Sequence, residues 1–310
     1  MAESKWIGDL SGDVPMSTAA RRVLELRLQA VAERLPAAVF SADEDIEHVH
    51  QLRVSTRRAG AAVRIFAECL PPKAHTAIRK KLRTIRRAAG EARDWDVFLE
   101  AMTERIEQAD AKQKAGLDFL LGFGEGKRVV AQHHLDDLIP VQLEFAAVMH
   151  ETLDAVNGGK KANTPLRRQA APLLTQLLRD LEDAASQDLQ PYEHLHKVRI
   201  LGKQLRYAME VFATCFGPAL RDEVYPRIIE MQEILGLAND SYVAFGRLNE
   251  LKVRVRKTQP NLWPRYRAGI DATLRFHQRR LPEQRRRFVR WWAKWQKSGA
   301  EELLGTLVQG

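Results

Sequence analysis

The feature that most constrains the fold of this 310-residue chain is that it repeats itself. A shift of 146 residues lays HVHQLRVSTRRAGAAVRIFAECLPP (48–72) on HLHKVRILGKQLRYAMEVFATCFGP (194–218) without a gap. The identical pairs are His48/His194, His50/His196, Arg53/Arg199, Ala62/Ala208, Phe66/Phe212, Ala67/Ala213, Cys69/Cys215 and Pro72/Pro218. The same offset puts Gly90 on Gly236, Ala92 on Ala238, Asp94 on Asp240 and Val97 on Val243. One offset held over both segments is the mark of a duplicated structural unit. Two related halves are therefore expected, 1–156 and 166–310, joined by a linker at 157–165 and related by a pseudo-two-fold axis.

Each half is expected to be helical. Val23, Leu24, Leu28, Val31 and Leu35 fall on one helical face, and Ile78, Leu82, Ile85 and Ala89 on another. Further helical segments follow near 94–109, 115–135 and 137–155. Pro71-Pro72, Gly90, Gly158-Gly159, Pro191, Gly217-Pro218 and Gly236 stand between segments and are read as breakers. Strand alternation with hairpin turns is absent from the pattern. The expected fold is all-α, two helical bundles of about five or six helices each.

The formal net charge is +9 and the pI about 9.7, which points to a polyanionic partner. The charge is segregated: twelve basic residues and two acids, Glu68 and Glu91, lie between Arg53 and Arg93. No apolar run is long enough for a transmembrane helix, and the amino terminus lacks a signal-peptide pattern, so the cytoplasm is the expected compartment. Two cysteines, Cys69 and Cys215, make no disulfide framework, and a small buried apolar role is expected for both.

The chemistry sits on the repeat. His50, Arg53, Arg57 and Arg64 are spaced i, i+3, i+7 and i+14, one face of a helix. His196, Arg199, Lys203 and Arg206 make the matching stripe in the second copy. The following helix adds Arg79, Lys80, Lys81, Arg83, Arg86 and Arg87, with Arg93 after the glycine. Like charges four apart destabilise a helix by about 0.2–0.5 kcal/mol per pair unless an anion neutralises them. Arginine forks match phosphate oxygens bidentately, lysine supplies a point charge, and a histidine beside a polyanion gains a proton more readily. A single basic stripe is most often a solvated face; two stripes at matched positions argue for a ligand. His48 and His194, on a different face, are read as structural. No nucleophile–base pair, metal set or cofactor motif is present, so binding rather than catalysis is expected.

The pattern His50-x-Leu52-Arg53-Val54-x-x-Arg57-Arg58, followed by Gly90-x-x-Arg93-Asp94-x-Asp96-Val97, resembles the CHAD domain, the conserved histidine α-helical domain. His196-Lys197-Val198-Arg199-Ile200 with Gly236-Leu237-Ala238-Asn239-Asp240 resembles the family's weaker second half. The resemblance extends over roughly residues 10 to 300. It implies a helical, pseudo-two-fold protein that binds inorganic polyphosphate on a basic central surface and associates with polyphosphate granules. The contacts it implies are His50, Arg53, Arg57, Lys81, Arg83, Arg86, Arg93, His196, Arg199, Lys203 and Arg206. This chain departs from the family at Gly60, where a further arginine is common and where the second copy keeps Arg206, and at Asn239, which replaces an arginine. Nucleic acid is the competing polyanion, and a phosphoanhydride-cleaving enzyme the third alternative.

Weaker signals are assigned structural roles. Asp94 and Asp240 are read as caps or first-turn acids of the next helix rather than metal ligands. Gly122-Phe123-Gly124-Glu125-Gly126-Lys127-Arg128 fails the phosphate-loop test and is read as a turn or a helix interruption. In the basic tail Phe288, Trp291, Trp292 and Trp295 share a helical face and are expected to pack on the bundle. The alternative for the tail is an anionic membrane or single-stranded bases.

Overall fold

The computed structural model describes residues 5–157, 162–299 and 305–306; Gly158–Lys161, the centre of the expected linker, lie outside the described residues. The chain is all-α. Among the described residues there are nine α-helices and no strand beyond one isolated bridge, Pro15 to Pro165. The helices are α1 (Met16–Phe40), α2 (Glu47–Ile65), α3 (Pro72–Glu107), α4 (Ala111–Asp136), α5 (Ile139–Asp154), α6 (Leu166–Ala185), α7 (Tyr192–Phe212), α8 (Tyr225–Thr258) and α9 (Trp263–Lys297). No helix among the described residues is long and apolar enough to cross a membrane.

The helix boundaries correct several sequence expectations. Gly90 and Gly236 do not break helices; they lie inside α3 and α8. The segments near 78–89 and 94–109 are therefore one helix, and Asp94 and Asp240 stand in mid-helix rather than at a cap. The glycine-rich stretch Gly122–Arg128 is neither a turn nor an interruption, because α4 runs through it. Helix α4 is capped instead by Asp110, whose carboxylate accepts from the Gln113 backbone N–H at 3.0 Å. Long helices also leave fewer elements than expected after the linker, with four α-helices where five or six were anticipated.

Helices α1 to α4, moved by 146 residues along the sequence, overlap α6 to α9. Matched helices also meet in space, since α2 lies against α7 and α4 against α9. The leads into α1 and α6 pair as well: Met16 N–H donates to the Thr164 carbonyl and Leu166 N–H to the Val14 carbonyl, both at 2.9 Å. Helix α5 has no separate partner and packs on α1 and α3.

The main core runs through both halves, from Leu24, Leu28, Leu52, Phe66, Ile78 and Ile85 to Leu174, Val198, Leu205, Phe212 and Ile228. A second, smaller core around Met102, Leu117, Leu120, Leu248 and Ile270 cements the α3–α4–α8–α9 end. Glycine permits the closest helix contact there. A Cβ on Gly116 would stand 2.3 Å from the Tyr266 carbonyl, and one on Gly269 2.5 Å from the Gln113 carbonyl. The tail packs as expected: Phe288, Trp291, Trp292 and Trp295 are buried, while Arg286, Arg287 and Arg290 face water. Cys69 is buried and Cys215 half-buried, and burial pushes the Cys215 thiol up to about 12.

Candidate anion-binding site

The α2–α7 contact is where the two basic stripes meet. Where two cationic faces are brought together, burial and mutual repulsion both oppose charge, so the local acids decide how the contact holds. One acid is buried. Glu210 of α7, 2% exposed as a side chain, accepts from Arg58 Nε of α2 at 2.9 Å and from the Tyr225 hydroxyl at 2.8 Å. Arg206 Nε stands 3.6 Å from the same carboxylate, and its guanidinium stacks 4.6 Å from the centre of the Tyr207 ring. Arg58 thus ties α2 to α7, while Arg206 is engaged within α7 by Glu210 and Tyr207.

Beside this pin opens a cavity of about 690 Å³. Its wall is Arg53, Arg57 and Arg64 from α2, Arg86 and Arg87 from α3, and His196, Arg199 and Lys203 from α7, with Lys127 of α4 and Arg247 of α8. Only two acids line it, Glu91 and Asp94. Asp94 is committed, 3.0 Å from Arg53 Nη2 and 3.5 Å from Arg247 Nη2. Its place in mid-helix explains Gly90, one turn earlier on α3. A Cβ on Gly90 would be 2.7 Å from Arg53 Nη1, so the glycine leaves the space into which the Arg53 guanidinium folds.

The electrostatics are those of a cation cluster short of counter-charge. Burial first, then Arg57, Arg199, Arg206 and Arg53, bring Lys203 down to about 6 from an ordinary value of 10.5. Burial, then Arg57, also lowers Arg199 and Arg53, with Asp94 and Asp240 opposing in the case of Arg53. His196 is lowered by burial and then by Arg199. The Tyr192 hydroxyl donates to Asn239 Oδ1 at 2.9 Å and lies 3.2 Å from His196 Nδ1. Tyr192 itself stacks on Tyr242 with ring centres 3.5 Å apart. Asn239, the departure from the family pattern, therefore sits in a network that orients His196.

Of the eleven residues singled out in the sequence, Arg53, Arg57, Arg86, His196, Arg199 and Lys203 line this cavity. The other five lie elsewhere. His50 is half-buried beside it, lowered by burial and further by Arg93, Arg57 and Arg53. Arg83 lines a neighbouring basin. Lys81 pairs with Glu144 of α5, Arg93 with Glu100 at 3.3 Å, and Arg206 with Glu210. The sequence reading did not select Lys127, Arg247, Gln204 or Tyr207, which also line the cavity. Lys127 lies in the glycine-rich stretch whose composition suggests a turn or a helix interruption, and Arg247 lies beyond the matched segments of the repeat.

The CHAD domain family profile matches residues 22–249 of this chain. No curated protein matches the sequence. Among solved structures, the CHAD domain from the plant Ricinus communis is similar, with 23% sequence identity and a TM-score of 0.65 over 97% of this chain and 94% of that one. PptA from Streptomyces chartreusis is similar at 18% identity and a TM-score of 0.60, over 90% of this chain and 99% of that one. The profile covers well over half of the sequence and the all-α fold agrees with it, and the chain belongs to the CHAD domain family.

Proposed function

We propose that the protein binds inorganic polyphosphate in the α2–α7 cavity, and through that contact associates with polyphosphate granules. The observation that carries this reading is a cavity walled by nine arginine and lysine side chains against two acids, Asp94 already paired with Arg53 and Arg247 and Glu91 3.1 Å from His134 Nδ1. Burying that much like charge costs free energy in the unliganded protein; a phosphate chain converts the cost into charge-assisted hydrogen bonds. The family's polyphosphate binding supports the choice of anion.

Two observations favour polyphosphate over nucleic acid. The aromatic side chains lining the cavity already carry guanidinium groups, Arg247 lying 5.0 Å from the centre of Trp95 and Arg206 4.6 Å from that of Tyr207. They offer no free face for base stacking. A duplex also cannot enter a cavity of about 690 Å³ and could meet its cations only at the mouth. The pairing of Asp94 with Arg53 and Arg247 supports a reading of binding rather than turnover.

Calorimetric titration with polyphosphate and with duplex DNA of equal total charge tests the reading. Polyphosphate is expected to bind tighter by at least an order of magnitude, and Arg57→Ser to remove most of that affinity. Equal affinity for the two polyanions overturns the assignment in favour of a general polyanion binder. Long chains incubated with the protein and Mg²⁺ should keep their length on a sizing gel; shortening shows an enzyme.

A further inference from the structure

A second basin of about 280 Å³ adjoins the central cavity between α2 and α3. Arg64 and Arg86 line both spaces, and Arg79, Lys80 and Arg83 line the basin alone. No acid lines it. None of these five cations makes an ion pair among the described residues, and all five are exposed. The wall of the basin includes Gly60. A Cβ there would meet nothing within 4 Å, so the missing side chain is open space and not a tight crossing.

The second copy does not carry the matching cations. At the 146-residue offset, Gly60 corresponds to Arg206, Arg64 to Glu210, Arg79 to Tyr225, Lys80 to Pro226, Arg83 to Ile229 and Arg86 to Gln232. At the position matching Gly60 the second copy has Arg206, whose Nε lies 3.6 Å from the buried Glu210 carboxylate. Over these six positions, five cations and a glycine on one side thus match one cation, one acid and four uncharged residues on the other. A polyanion leaving the central cavity meets five unpaired cations in one direction and, at the matched positions in the other, only Arg206, already beside Glu210.

We propose that a bound phosphate chain leaves the central cavity on one side only, passing Arg64 and Arg86 into the basin that Gly60 opens and running along α3 to Arg79. This rests on the polyphosphate reading and adds a direction and a length requirement to it. From Arg86 to Arg79 the path is roughly 10 Å at about 1.5 Å per helical residue. Tripolyphosphate can satisfy the central cavity without it, whereas a long chain occupies both spaces.

The test uses the full chain and two ligands, tripolyphosphate and long-chain polyphosphate. Arg79→Ser/Lys80→Ser/Arg83→Ser removes three exposed cations from the basin. Arg221→Ser/Arg227→Ser/Arg290→Ser removes the same charge from the second half. The basin variant is expected to bind tripolyphosphate as the wild type does and long chains at least tenfold more weakly. The second-half variant should bind both normally, and Gly60→Leu, which intrudes on the basin without touching a charge, should repeat the basin result. Wild-type affinity for long chains in the basin variant, or equal weakening in both triple variants, overturns the one-sided path while leaving the central site in place. A wild-type protein that binds neither ligand overturns the polyphosphate reading, and the path with it.

Discussion

At the scale of single residues, Lys203 shows what the site costs the fold. Its ammonium, brought down to about 6, is the most strongly shifted cation in the cavity, and the direction of that shift makes two predictions. The first concerns stability. Between about 6 and 10.5 the unfolded chain holds a proton on Lys203 that the folded chain has released, so stability rises with pH across that window. The penalty is complete below pH 6, where both states are protonated, and vanishes above the ordinary lysine value. Lys203→Met is therefore expected to stabilise the unliganded protein by about 1–3 kcal/mol at pH 5.5 and by much less at pH 9.5, read as denaturation midpoints at the two pH values. The second concerns binding. A polyanion in the cavity favours the charged forms of Lys203, His196 and His50, each of which is lowered in the free protein. Binding then takes up protons, and affinity falls as pH rises from 6 towards 8.5. Calorimetry at pH 7.5 in buffers of different ionisation heat should report net proton uptake. A pH-independent affinity would show that these groups do not face the ligand.

At the scale of helices, the glycines separate what the sequence made legible from what it did not. Apolar periodicity located the helical segments because it reports one face of each helix against a core. Glycine does not punctuate these helices, because tertiary packing overrides its low helix propensity and α3, α4 and α8 run through their glycines. The reasons differ from site to site and depend on partners distant in sequence: the Arg53 guanidinium for Gly90, and the α9 backbone for Gly116. Graded effects of substitution follow. Gly122→Ala, with nothing within 4 Å, should stabilise by about 0.5–1 kcal/mol through helix propensity alone. Gly116→Ala and Gly269→Ala push α4 and α9 apart at the backbone and should destabilise by about 1–3 kcal/mol. Gly90→Ala meets only the mobile end of Arg53, so its stability should change little while the Arg53–Asp94 pair is displaced and polyphosphate affinity drops. Urea unfolding together with a binding titration on the four variants checks the ordering.

At the scale of the whole molecule, the repeat located the stripes, but only their apposition says which cations are available. Lys81 and Arg93 belong to the same basic run as Arg86 and look equivalent in sequence, yet Glu144 from α5 and Glu100 one further stretch along α3 neutralise them. The same closure recruits Lys127 and Arg247 from α4 and α8, which neither stripe contains. The cavity cations therefore converge on one space, unlike charges spread over a surface, and that difference is measurable through salt. A ligand neutralised by six to ten enclosed cations should lose roughly 10³–10⁵ in affinity between 50 and 200 mM salt, by analogy with counterion release from nucleic acids. Removing a cavity cation should reduce the slope of log affinity against log salt by about one, as in Arg57→Ser or Arg199→Ser. Removing an already neutralised one, as in Lys81→Ser, should leave the slope unchanged. A coat of independent surface charges predicts the same small decrement for all three, because each would contribute its own released counterion wherever it stood. The three slopes, measured on one long-chain polyphosphate, therefore decide between an enclosed site and a diffuse basic surface.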